Sequence, residues 1–345
     1  MEKSKSIFLT ARIALILIFL VILAGSVVRM SGSGMGCPDW PKCFGHYIPP
    51  TGVEELTYAE GKFFKKGMMV LLENRFWVAK EDVTASGNFQ SEKWEMYDVH
   101  DYSIYNPVHT WIEYINRLIG ALSGIPTLIL FVLSFIGLLR RRDLITFILS
   151  ALTLFMLGFE AWLGKTVVDS GLHEGQITLH MFGSVVIVAL LLMIIYRHRQ
   201  NKVEVSNYSN YWKVMSAVVM VIAFSQVLLG TQVREAVDVI SEVNKDRSTW
   251  IDALPGIFKV HRSFSILVSV LVGWMFLRSR SMVKLPFALK GIFAITVAEI
   301  VLGIILAYGA LPAPAQPLHL VLAILWFACA WYFMQQVWSK VKFIS

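Results

Sequence analysis

Phe258-Lys259-Val260-His261-Arg262-Ser263-Phe264 places a histidine and an arginine where a long apolar run is about to begin. Trp111-Ile112-Glu113-Tyr114-Ile115-Asn116-Arg117 has the same outline earlier in the chain, with Asn116-Arg117 matching His261-Arg262. His180 and His319 stand at the corresponding entries of two further apolar runs. Ionisable groups in membrane spans are costly, so they are candidates for function by default. These helix entries predict two stacked cofactor pockets inside a membrane bundle.

The composition agrees. Of 345 residues 56% are hydrophobic and 16% charged, against about a quarter charged in soluble proteins. Runs near the 20 residues a span requires fall at approximately 7–29, 110–138, 144–165, 177–196, 212–233, 260–277, 286–309 and 318–338. The prediction is an all-α integral membrane protein with eight transmembrane helices. The first run follows Lys3 and Lys5 and contains Ala24-Gly25-Ser26, like an export signal. Its length predicts a retained helix instead.

A net charge of +7 raises the question of nucleic acid, but the basic residues form short clusters between spans. Lys3, Lys5 and Arg12 precede the first run, and Arg140, Arg141 and Arg142 follow the second. Arg197, Arg199 and Lys202 follow the fourth; Arg278, Arg280 and Lys284 the sixth; Lys340 and Lys342 the eighth. All fall on one side, so both termini are expected in the cytoplasm, with the lipid bilayer and no nucleic acid as partner. On the opposite side the loop from about 30 to 107 is long enough for a small subdomain with local helix or hairpin. A shorter loop is expected over 234–256, and Leu311-Pro312-Ala313-Pro314-Ala315-Gln316-Pro317 is stiffened just before a helix.

A repeat runs through the spans. Glu160-Ala161-Trp162-Leu163-Gly164, Gln226-Val227-Leu228-Leu229-Gly230 and Glu299-Ile300-Val301-Leu302-Gly303 each put an acid or amide one turn before Leu-Gly. Each is followed by a histidine at the next helix entry: His180, His261 and His319. This predicts two pseudo-symmetric four-helix bundles, about 1–200 and 201–345, related by an axis along the membrane normal.

His109, His180, His261 and His319 all stand at outer ends of even-numbered helices and so at one depth. One such histidine is more often a helix contact than a ligand; facing pairs can hold an iron from both sides. Structural zinc wants closely spaced pairs of Cys and His, a pattern absent here, and the fourteen methionines do not cluster with the histidines as copper would favour. Haem fits best, with His261 and His319 as ligands. Glu113, one turn from Asn116, is either a proton-shuttling carboxylate or an i,i+4 ion pair with Arg117. Arg117 and Arg262 are placed to pair with porphyrin carboxylates. Glu160, Lys165 and Glu299 are read as packing groups, Cys329 as inert, and His46, His100, His173 and His198 as loop residues, His198 solvated. Cys37 and Cys43 would face an oxidising compartment, which permits a disulfide; a redox role would need an accessible thiolate.

The chain resembles the haem A synthase family along nearly all its length. The most specific stretch is Ser31-Gly32-Ser33-Gly34-Met35-Gly36-Cys37-Pro38-Asp39-Trp40-Pro41-Lys42-Cys43, with Ile48-Pro49-Pro50. Glu113-Tyr114 with Arg117, Ser170-Gly171-Leu172, His261-Arg262 and the Leu-Gly helices agree. The resemblance implies an enzyme of the inner (plasma) membrane that oxidises the C8 methyl of haem O to a formyl group by successive hydroxylations. It implies haem b on His261 and His319 with Arg262 beside it, and substrate haem O near His180, Asn116 and Arg117, with Glu113 beside the reacting methyl. A quinol or thiol system would donate electrons; a haem O synthase and a second copy of the chain are protein partners it admits. Many members carry histidine where Asn116 stands. His109, seven residues earlier on roughly the same face, is a substitute iron ligand, or His180 holds the iron alone. A dihaem b electron carrier and a non-catalytic haem-delivery factor are the rival readings.

Overall fold

The computed structural model describes residues 2–98, 105–169, 175–199, 208–280, 282 and 285–339. Ser170-Gly171-Leu172, His100, His173, Lys202, Lys284, Lys340 and Lys342 lie outside them. Among the described residues eight helices are long and apolar enough to cross a membrane. They are α1 (Glu2–Ser31), α2 (Pro107–Arg141), α3 (Leu144–Asp169), α4 (Gln176–His198), α5 (Asn210–Val243), α6 (Gly256–Ser279), α7 (Phe287–Tyr308) and α8 (Ala315–Trp338). Helices satisfy their own backbone polar groups, which hydrocarbon cannot. Their outward side chains, Ile16, Phe155, Val221 and Val270 among them, are exposed and apolar, as a lipid-facing surface requires. The chain is a multi-pass membrane protein.

Helix α1 packs on α2 and α4, and α3 lies between α2 and α4. Helix α5 packs on α6 and α8, and α7 lies between α6 and α8. The neighbour relations of the second four helices thus repeat those of the first. The two sets meet where α8 packs on α1 and α4, and α4 on α5. Ile18 and Ile22 of α1, Val188 and Leu191 of α4, Val219 of α5, and Ile324 and Phe333 of α8 belong to one buried core. Buried indoles find hydrogen-bond acceptors across helices. Trp331 Nε1 donates to the Ala189 carbonyl at 3.1 Å across the seam, and Trp326 Nε1 to Thr296 Oγ1 at 2.8 Å.

The long loop between the first two spans, expected to hold local helix or hairpin, carries both. Strands β1 (Phe63–Phe64) and β4 (Val83–Thr84) pair antiparallel, and β2 (Met69–Leu72), β3 (Arg75–Ala79) and β5 (Trp94–Met96) form a second antiparallel sheet in the order β2-β3-β5. Glu73 and Asn74 join β2 to β3 with φ of 52° and 59°, the left-handed pair that a tight hairpin needs. Tyr58, Phe64, Phe89 and Trp94 pack as one aromatic cluster beneath it.

Two expectations are corrected. The segment 234–256 is not mainly loop, because α5 continues to Val243. Val233, Val237 and Ile240 keep an apolar stripe there, packed with Trp250, Leu254, Leu306 and Leu311. His198 is not solvated. It ends α4 with Nε2 2.8 Å from Thr146 Oγ1 and 3.6 Å from Asp143 Oδ2, and Arg197 donates to Asp143 Oδ1 at 3.0 Å. Burial pushes the Asp143 carboxyl up, but Thr146 and Arg197 outweigh it and hold its pKa below the ordinary value.

Candidate functional site

Helices α6 and α8 bring His261 and His319 together, ring centres 6.3 Å apart and planes at 88°. The preceding helices shape that pocket. Gly230 of α5 faces the His261 ring, where an added Cβ would lie 3.4 Å from Cε1. Gln226, one turn earlier, donates to the His261 carbonyl at 3.3 Å. Glu299 of α7 reaches Nδ1 of His319 at 2.5 Å. Nδ1 of His261 is buried and, among the described residues, has no hydrogen-bond partner and no carboxylate beside it. The two imidazoles are therefore unequal: one faces a carboxylate, the other does not.

The first four helices repeat this arrangement with Asn116 in place of His261 and Val21 in place of Gln226. Glu160 of α3 reaches Nδ1 of His180 at 2.6 Å. Gly164 faces the His180 ring, with Cε1 3.8 Å from an added Cβ, and Gly183 leaves room for the Glu160 carboxylate, since a Cβ there would fall 1.8 Å from Oε1. Gly25 of α1 faces Asn116 as Gly230 faces His261, with Asn116 Oδ1 3.7 Å from an added Cβ. That oxygen is buried and unpartnered among the described residues.

Glu160 and Glu299, expected to be packing groups, are thus the histidines' neighbours. The repeated acid one turn before Leu-Gly carried that signal, with a histidine at each following helix entry. Gly25 had no such flag, because Val21 stands where the acid or amide would be.

Glu113 is not an unpartnered carboxylate. Its Oε1 lies 2.5 Å from Arg117 Nη2 and its Oε2 accepts the Cys37 N–H at 2.8 Å. Arg117 also donates to the carbonyls of Asp39 at 2.7 Å, Lys42 at 3.0 Å and Cys37 at 3.3 Å. Both terminal nitrogens are thereby engaged by the loop. Arg262 is exposed, its guanidinium 5.7 Å from the Phe258 ring centre.

The loop so held is closed by a disulfide between Cys37 and Cys43, both buried. Thr110 Oγ1 donates to the Gly36 carbonyl at 2.8 Å, and Gly36 lies so close to α2 that a Cβ would fall 2.4 Å from the His109 carbonyl oxygen. Asp39 closes the loop from within, accepting the N–H groups of Phe44 at 2.6 Å and Gly45 at 2.9 Å. Burial raises its pKa above the ordinary value, against those two donors and Arg117. His109 lines an outer cavity with Met35, Pro38, Phe44, Phe76 and Tyr97. Neither Asn116 nor His180 lines that cavity.

Fold and site define a helical membrane protein with eight spans among the described residues, in which two histidines, one of them faced by a glycine, meet near the helix ends. The chain belongs to the COX15-CtaA family, described as cytochrome oxidase assembly protein, which it matches over residues 9–97 and 88–331. It is 26% identical over 220 residues to a protein of Shewanella oneidensis named heme A synthase, covering 64% of this chain and 54% of that one. A protein of the same name from Flavobacterium psychrophilum is 25% identical over 183 residues, 52% of this chain and 45% of its own length. The chain thus spans about half the length of these relatives. A third of that name, from Flavobacterium johnsoniae, is 21% identical over 356 residues, 93% of this chain and 95% of its own.

Proposed function

We propose that the chain is a haem A synthase that oxidises the C8 methyl of haem O to a formyl group by successive hydroxylations. The observation that carries the reading is the 6.3 Å between the His261 and His319 ring centres. An iron bonded to an imidazole nitrogen on each side at about 2 Å requires roughly that separation. The unpartnered Nδ1 of His261 and the glycine against its ring fit the same group. Haem b at this position supplies reversible one-electron transfer; the protein supplies ligands, orientation and electrostatics. Glu299 fixes the His319 ring by its Nδ1 and leaves Nε2 for the iron.

The substrate haem belongs to the first pocket. His180, oriented by Glu160, is its iron ligand. Asn116 stands where His261 stands in the other pocket and is a poor iron ligand, so that side is left open. His109, lining the outer cavity, is not part of this ligand set. Glu113 is the acid–base group, and with Arg117 it also holds the disulfide loop against α2. The names of the relatives support the reading, and the basic clusters support an orientation with both termini cytoplasmic, in the inner (plasma) membrane on this reading. Each hydroxylation consumes dioxygen as the oxidant together with two protons and two electrons from a donor of quinol or thiol type and releases water; the geminal diol left by the second loses water to give the formyl group.

The test is haem extraction and mass analysis from a host that makes haem O and lacks its own enzyme for the next step. Haem A appearing with this chain is the expected result; haem O alone would sink the proposal. Two equivalents of haem b in the purified protein, with no haem O or haem A, would favour the dihaem carrier. The asymmetry between Asn116 and His261 argues against that alternative.

A further inference from the structure

Two arginines given no role so far meet on the seam between the helix sets. Gly25-Ser26-Val27-Val28-Arg29 on α1 and Gly230-Thr231-Gln232-Val233-Arg234 on α5 share one register. Their glycines face Asn116 and His261. Ser26 and Thr231 each donate to the carbonyl three residues back, Leu23 at 2.9 Å and Leu228 at 2.8 Å. An arginine follows each glycine by four residues, one turn toward the outer face.

Arg29 donates to Asp238 Oδ2 through Nε at 3.0 Å and Nη2 at 2.5 Å. Arg234 places Nη2 2.5 Å from Asp238 Oδ1 and 3.0 Å from the Arg29 carbonyl, and donates through Nη1 to Gln316 Oε1. Two guanidiniums thus share one carboxylate, and the buried Nε of Arg234 has no partner among the described residues. An excess positive charge at a packed seam is costly unless another anion meets it. Position narrows the anion. Gln316 is three residues before His319 on α8, and Arg234 is four after Gly230 on α5, so their contact lies one turn outside both imidazoles. A porphyrin between those rings carries two carboxylates on one edge.

We propose that Arg234 seats a carboxylate of the haem held by His261 and His319, taking it in place of Gln316, and that Arg29 does the same for the haem of the first pocket. The inference rests on the haem reading above. It moves the carboxylate-binding role from Arg117 and Arg262 to the seam, where guanidinium–carboxylate pairs are strong.

The test uses the purified full-length protein with its resident haem, following haem loss to excess apomyoglobin and the carboxylate bands in resonance Raman spectra. Arg234→Gln is expected to lose haem at least about tenfold faster, with shifted carboxylate bands, while Arg234→Lys stays near wild type. Asp238→Asn frees the arginines and is expected to lose haem no faster than wild type. Release from R234Q at the wild-type rate would overturn the proposal. So would Asp238→Asn behaving like R234Q, which marks a structural clamp, or faster loss in Arg262→Gln alone. Should wild type carry no haem, the functional reading falls too; should it carry haem that R234Q holds equally well, only this inference falls.

Discussion

At Gly230 the room for one methyl group decides how close α5 comes to the His261 ring. A Cβ at 3.4 Å from Cε1 is a tight contact, and any further branch overlaps the ring. Gly230→Ala is therefore expected to keep haem b with a modest loss of affinity, and Gly230→Val to lose it, read from the haem-to-protein ratio after purification. Retention by the valine variant would show that the ring is not held where it stands. This position was half legible. The Leu-Gly repeat was visible, but glycine in a membrane helix more often serves helix contact, and the ring it faces belongs to another helix.

At the scale of single elements, the first turns of α2 do two jobs. Asn106 caps the helix by accepting the N–H groups of Val108 at 3.0 Å and His109 at 3.3 Å, which fixes the start of the face bearing Thr110, Glu113 and Arg117. That face binds the disulfide loop through the Gly36, Cys37, Asp39 and Lys42 backbone. Glu113→Ala is expected to abolish haem A formation and to expose Lys42 to trypsin. Glu113→Gln keeps an acceptor for the Cys37 amide, so it should protect the loop while still abolishing the product. Full activity in the glutamine variant would reduce Glu113 to an anchor. The i,i+4 pairing of Glu113 with Arg117 was readable from spacing. Its commitment to the Cys37 amide was not, since 76 residues separate the two.

The same loop carries a pH dependence. Burial holds His46 below the ordinary imidazole value, against the pull of Glu55, with Lys62 acting in the same direction as burial. A histidine kept neutral by folding contributes stability that is present above its unfolded value of 6.5 and is lost as pH falls through the lower folded value. Thermolysin cleavage of the outer loop should therefore accelerate below about pH 6.5. His46→Gln should flatten that profile; an unchanged profile in the variant would assign the effect elsewhere.

Over the whole molecule, eight spans, their order and the histidine entries were legible because hydropathy and the cost of buried ionisable groups are local signals. The sheets of the outer loop were not, since β1 and β4 are two residues each and β3 to β5 spans a 3₁₀ turn. The seam at Asp238 was hidden for another reason. Segment 234–256 was expected to be loop, so Arg234 and Asp238 were not placed on one helix face.

The exposed hairpin tip at Glu73-Asn74 offers a practical handle. A short epitope inserted between them would extend an exposed turn, so pocket geometry should be unaffected. Antibody binding to intact protoplasts would then report on which side of the bilayer the sheets stand. Recognition only after lysis would invert the orientation drawn from the basic clusters, and with it the compartment in which the oxidation takes place.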